Sequence, residues 1–233
     1  MKPNVQHLES RDSVDPASVK IIACATVVEE MAPLLSSEVS CETLDFGLHI
    51  NPDELKKSLQ HAIDATSEKI SHIILGYGLC SQAVTGLKTD RFTLVVPRVD
   101  DCISIFIGST AERNLQHAAV PGTYYVTKGW LKVGSTPFDE FEDMVKKYGR
   151  DKAAKIMGQI LKNYTRLAFI NTGSDMDDYH RRAREIAEKF HLRYEEIPGS
   201  DRLVRKMLFG PWDDEMLIVP PGREISFLDF RER

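Results

Sequence analysis

Long apolar runs are missing from this chain. The strongest candidates, residues 21–28 and 72–79, stop far short of the ~20 residues a membrane span requires, so no membrane-embedded segment is expected. Positive charge is not in excess either. The chain has 30 Lys and Arg against 35 Asp and Glu, a net charge of -5, and lacks the basic stripe of a nucleic-acid binder. The first twenty residues are polar and carry no apolar core of a secretory signal, so the expected location is cytoplasmic. Paired metal motifs are absent: no two cysteines stand in a CxxC spacing, and the seven histidines form no HExxH pair.

What is present suits one globular α/β domain. With 42% hydrophobic residues in 233, a core can form without disulfide or metal staples. Residues 1–18 read as a flexible tail, polar and without apolar period, and residues 19–233 as a single domain. Apolar runs at 20–24, 72–76, 92–97, 166–171 and 215–220 read as strands. Amphipathic segments between them read as helices. Asn51-Pro52 marks one helix start, as cap and first helical residue. Gly149 is placed to break a helical stretch over 138–164, and Ser174 or Asp175 to cap a helix running to about residue 190. The alternation predicts a mainly parallel, Rossmann-like sheet with helices on both faces. Ligands of such sheets bind beyond the carboxyl ends of the strands.

The four cysteines are not evenly placed on that scheme. Cys24 closes the first strand, while Cys80 and Cys102 follow just past the strands ending at Gly76 and Pro97. All three fall on the carboxyl edge, whereas Cys41 begins its strand on the opposite edge. Three thiolates facing one space suit zinc or an iron–sulfur cluster. His49, just past another strand, is a candidate fourth ligand, or a substrate fills that position. Sulfurs sharing one metal would stand roughly 4 Å apart, given Zn–S bonds of ~2.3 Å. Arg98, Asp100 and Asp101 are candidates to orient or protonate a bound group. The competing reading takes the thiols as small buried hydrophobes.

Two loops are candidates for holding a cofactor. Gly76-Tyr77-Gly78 lets a ligand approach the backbone, although the third glycine of a dinucleotide fingerprint is absent and a tight turn explains it as well. Thr172-Gly173 precedes a helix start where free N–H groups hold anions, or simply belongs to a capped helix. Tyr124, Tyr125, Lys128 and Trp130 lie in a loop-like stretch that would serve as lid or as packing.

Several short motifs occur together and in order: Ile21-Ile22-Ala23-Cys24, Asp45-Phe46-Gly47-Leu48-His49, Leu75-Gly76-Tyr77-Gly78-Leu79-Cys80, Pro97-Arg98, Asp101-Cys102-Ile103, Pro121-Gly122-Thr123-Tyr124-Tyr125 and Gly129-Trp130. In this the chain resembles the family catalogued as domain of unknown function 1638, over about residues 20–222. The resemblance implies anaerobic one-carbon metabolism beside corrinoid-dependent methyltransferase systems, with their components as partners and a corrinoid reached through such a partner. It also implies a histidine at the position of Asp100, so that this chain departs from the family pattern next to Cys102. The expectation is therefore a metal- or iron–sulfur-dependent protein acting on a small molecule. The alternatives are a metal-free cysteine enzyme of racemase or nucleophile type, and a non-catalytic corrinoid- or small-molecule-binding accessory protein. The Asp-x-His-x-x-Gly signature of direct corrinoid ligation is absent. Self-association as a homo-oligomer is left open.

Overall fold

A computed structural model describes residues 14–133, 136–173 and 177–231. They fall into two compact units. One comprises the described residues up to Ile105 together with those from Arg202 onward; the other is Phe106–Asp201. Both are α/β and mainly parallel, as expected, but the strands form two sheets rather than one.

In the first unit, β1 (Val19–Cys24), β2 (Ser40–Leu44), β3 (His72–Gly76), β4 (Thr93–Pro97) and β8 (Met216–Val219) lie in the order β2-β1-β3-β4-β8. The first four are parallel; β8 runs antiparallel to β4, with Pro97 opposite Met216. Every residue of β1 and β3 is buried, which explains why all but Lys20 and His72 are apolar. Between β1 and β2 lies α1 (Ala25–Met31), and between β2 and β3 lies α2 (Pro52–Asp64). As the caps predict, Asn51 accepts from the Glu54 N–H and Pro52 opens α2, which buries Leu55, Leu59, Ala62 and Ile63. The chain steps one way from β1 to β2 and the other way from β2 to β3. Right-handed crossovers therefore put α1 and α2 on opposite faces. The carboxyl ends of β1 and β3 flank the point where that direction reverses, which is where open α/β sheets open a ligand crevice. Gly76 is required there. A Cβ on it would lie 2.5 Å from the Cβ of Ala23, its partner on β1.

In the second unit, β5 (Thr123–Val126), β6 (Arg166–Asn171) and β7 (Arg193–Pro198) pair in parallel in sequential order. Helices α6 (Pro137–Tyr148) and α7 (Arg150–Leu161) precede β6; α8 (Asp177–Lys189) precedes β7. Gly149 does separate two helices, with φ at 81°. The core includes Phe138, Phe141, Met157, Leu167 and Phe169. The expected cap of α8, Ser174 or Asp175, lies outside the described residues.

The loop-like stretch is in fact ordered. Tyr124 and Tyr125 belong to β5, and Lys128 and Trp130 to α5 (Lys128–Val133). Tyr124 packs on Phe138 at 4.8 Å and Tyr164 at 5.3 Å, and Trp130 edges onto Phe106, so these aromatics are core rather than lid. Residues 1–13 of the expected tail lie outside the described residues; Pro16–Ser18 form a 3-10 turn capped by Asp15. Among the described residues, no helix is long and apolar enough to cross a membrane.

Candidate functional site

Three strand-end segments of the first unit build the site. Cys24 ends β1 and caps α1. Its sulfur lies 3.3 Å from the hydroxyl of Thr26, itself fully buried. After β3, Tyr77-Gly78-Leu79 leads to Cys80, which opens a 3-10 turn. After β4, Asp101 precedes α3 (Cys102–Ile107) and caps it, accepting from the Ser104 N–H at 3.1 Å and from its hydroxyl. The second and third segments are joined by backbone bonds. Leu79 N–H donates to Val99 O at 2.8 Å, and Cys80 N–H to Asp100 O at 3.0 Å. The approach demands glycine at 78, where a Cβ would meet Val99 O at 2.7 Å and Asp101 N at 2.9 Å. Cys80 itself has φ 45° and Gln82 φ 70°, a left-handed backbone that such side chains rarely adopt. Strain of this kind clusters at ligand sites.

The three thiols are dry, with Cys24, Cys80 and Cys102 exposed by 1, 9 and 7%. Burial pushes the Cys24 thiol up, only partly offset by the Thr26 hydroxyl and the N–H groups of Thr26 and Val27. Cys80 is pushed up to about 12, chiefly by burial, with Asp101 and Cys24 adding to it. Cys102 is raised well above the ordinary thiol value by burial, then by Cys80, Cys24 and Asp101. Tyr77, 1% exposed, is raised by burial and by all three cysteines. Tyr77 is thus within electrostatic reach of all three thiols. At neutral pH all are protonated.

His49 lies in the 3-10 turn Phe46–Ile50. Its Nδ1 is 3.0 Å from the carbonyl of Phe46, so Nδ1 carries the proton and donates. Burial holds its pKa below the ordinary histidine value. Nε2 is buried and has no hydrogen-bond partner among the described residues, and the same is true of the Tyr77 hydroxyl. The two rings stack with centroids 6.1 Å apart.

The other expected residues are distributed as follows. Asp101 is in place, held by its capping bonds and coupled to Cys80 and Cys102. The Asp100 side chain is exposed; its carbonyl receives the Cys80 N–H. The Arg98 guanidinium bonds the carbonyl of Asp229, binding the end of β4 to the C-terminal turn, and does not figure in the shifts of the three thiols. Gly76 makes room for the side chains of Ala23 and Val27, and Gly78 for the backbone of Val99 and Asp101. Thr172 and Gly173 belong to the second unit, where they line an open concavity of about 900 Å³ with Asn171, Glu196, Ser200 and Asp201. Cys41 is exposed on β2, apart from the other three. Thr26 escaped sequence reasoning, although a threonine two residues past a strand-end cysteine is the signal for a hydroxyl beside that sulfur. Among the described residues, no three His, Cys, Asp or Glu side chains stand ready-arranged to hold a metal ion.

No curated protein and no solved structure matches the chain. A family match covers residues 43–208; it includes His49, Tyr77, Cys80 and Cys102 and begins after Cys24. On that match the chain belongs to the family described as protein of unknown function (DUF1638).

Proposed function

We propose that Cys24, Cys80 and Cys102 bind a soft metal centre, zinc or an iron–sulfur cluster, and leave one position for a small-molecule substrate. The observation that carries this reading is the burial of three thiols on the segments that follow β1, β3 and β4, all within electrostatic reach of Tyr77, at the edge where the strand order reverses. The donor set fits. Thiolates select zinc and iron–sulfur centres, and three of them leave a site incomplete and open.

In this reading, metal binding takes a proton from each thiol and offsets the burial, and secondarily the mutual repulsion, that hold them protonated. Thr26 donates to the Cys24 sulfur and orients it. Asp101 fixes Cys102 by capping α3. A bound metal would supply Lewis acidity to the substrate. Among the described residues the thiols are not arranged around one point, so in this reading metal binding draws the three strand-end segments together. A lone cysteine nucleophile is less well supported, since it needs a lowered pKa and these are raised. On the resemblance alone, the proposal extends to corrinoid-linked one-carbon metabolism, with methyltransferase components as partners.

Anaerobic purification followed by metal and sulfide analysis tests the reading. We expect stoichiometric metal in the wild type and in Cys41→Ser, and its loss in Cys24→Ser, Cys80→Ser and Cys102→Ser. Metal-free protein from anaerobic cells, still metal-free after reconstitution, would overturn it.

A further inference from the structure

Two polar atoms at the site are left over when its structural bonds are counted. One is the Tyr77 hydroxyl, a hydrogen-bond donor on a side chain 1% exposed. The other is Nε2 of His49, an acceptor, because Nδ1 already carries the proton and gives it to Phe46 O. Leaving a buried polar group unpaired costs about 1–3 kcal/mol, so two complementary orphans on stacked rings call for an explanation. Neither belongs to the metal donor set proposed above. Both lie near it, since His49 stacks on Tyr77 and Tyr77 is within electrostatic reach of all three thiols.

From this geometry we infer that Tyr77 and His49 bind one protic group of a neutral small molecule, a thiol or an alcohol, the X–H donating to His49 Nε2 while a lone pair of X accepts from the Tyr77 hydroxyl. The donor–acceptor pair has a definite selectivity. A thioether or ether has lone pairs but no X–H, and leaves Nε2 unpaired. A carboxylate likewise accepts from Tyr77 but offers His49 nothing, and it would add negative charge beside three thiols and Asp101. An ammonium can donate to His49 but has no lone pair for Tyr77. Of these groups only –SH or –OH satisfies both orphans; a neutral amine would too, but at neutral pH it is protonated to the ammonium form. His49, expected from sequence as the fourth metal ligand, is here assigned to the substrate instead. The inference deepens the proposed function by naming the substrate class of the same crevice. It does not require the metal to be present.

The test uses the full-length protein, as isolated and after metal depletion, with ethanethiol, ethanol and ethyl methyl sulfide as probes in ligand-observed NMR titrations. Ethanethiol or ethanol should bind to both preparations, and whichever binds more tightly identifies the source of the protic group; ethyl methyl sulfide should bind at least roughly tenfold more weakly, the worth of one unmatched buried hydrogen bond. Tyr77→Phe and His49→Phe should each weaken the protic probe about tenfold while keeping the wild-type metal content. Equal binding of the sulfide, wild-type affinity in both variants, or no binding of any probe, which would leave only water between the two atoms, each overturns the inference. Loss of metal from His49→Phe, with Tyr77→Phe binding probes as wild type, also overturns it and returns His49 to the ligand set. Failure of the metal reading alone would appear as metal-free wild type that still distinguishes ethanethiol from ethyl methyl sulfide.

Discussion

The two sheets of this molecule end differently at their carboxyl edges. In the first unit the strand order reverses between β1 and β3, and the edge there is sulfur-lined and dry. In the second unit the order β5-β6-β7 never reverses. Its edge is hydrophilic and open, with Asn171 bonded to Glu196 and Glu196 paired with His180. Both units are parallel α/β layers with apolar cores, so fold class alone does not select the site. Topology does: crossovers that turn away from each other leave a crevice, and those that step in one direction do not.

The largest expected contrast is in thiol reactivity. A disulfide-exchange reagent at neutral pH should modify Cys41 roughly a hundredfold or more faster than the other three; burial raises the Cys41 thiol as well, so the contrast rests on exposure, the other three being reached only by local opening. Comparable rates at Cys24, Cys80 and Cys102 would remove the distinction between the two kinds of cysteine.

Raised thiol pKa values also make the first unit sensitive to alkali. A folded-state pKa above the unfolded one gives stability that is present below the unfolded value and lost as pH rises through the folded value. For Cys80 that window runs from about 9 to about 12. Denaturant midpoints should fall across it, and less so in Cys80→Ala. An unchanged slope in that variant would show that Cys80 ionises normally.

At the loop contact, Gly78→Ala drives a Cβ into two backbone atoms that are held by the Leu79 and Cys80 hydrogen bonds. We expect a loss of about 2 kcal/mol in denaturant titrations, with m unchanged. Tyr77→Phe should act in the opposite direction. Deleting a buried hydroxyl without a partner should stabilise the metal-free protein by about 1 kcal/mol. The smallest effect belongs to the second edge. Glu196→Gln breaks a solvated pair with His180 and should shift stability by no more than about 0.5 kcal/mol.

Much of this was readable from local sequence. The Asn51-Pro52 start, the break at Gly149 and the buried strands are encoded by neighbouring residues, and the structure shows them as expected. The strand-end positions of Cys24, Cys80 and Cys102 were legible for the same reason. What escaped depends on distant contacts. Helix α4 (Thr110–Ala119) buries no residue fully, and its apolar positions, Ala111, Leu115, Ala118 and Ala119, are mostly alanines beside an exposed Leu115 and make a faint stripe. The pattern Ser109-Thr110-Ala111-Glu112, whose serine accepts from the Glu112 N–H, announces it. The division into two sheets follows from which strands pair, and no single segment carries that. Arg98 is engaged by a carbonyl 131 residues away, so its neighbours in sequence gave a misleading context. The pairing of His49 with Tyr77 across two strand ends is of the same kind.

The central claim is that three cysteines, and not the fourth, form one site. X-ray absorption at the zinc edge of protein reconstituted anaerobically with zinc tests it most directly. The account predicts three sulfur neighbours at ~2.3 Å, falling to two in each of Cys24→Ser, Cys80→Ser and Cys102→Ser and staying at three in Cys41→Ser. A metal bound through fewer than three sulfurs, or one whose sulfur count falls when Cys41 is replaced, would contradict it.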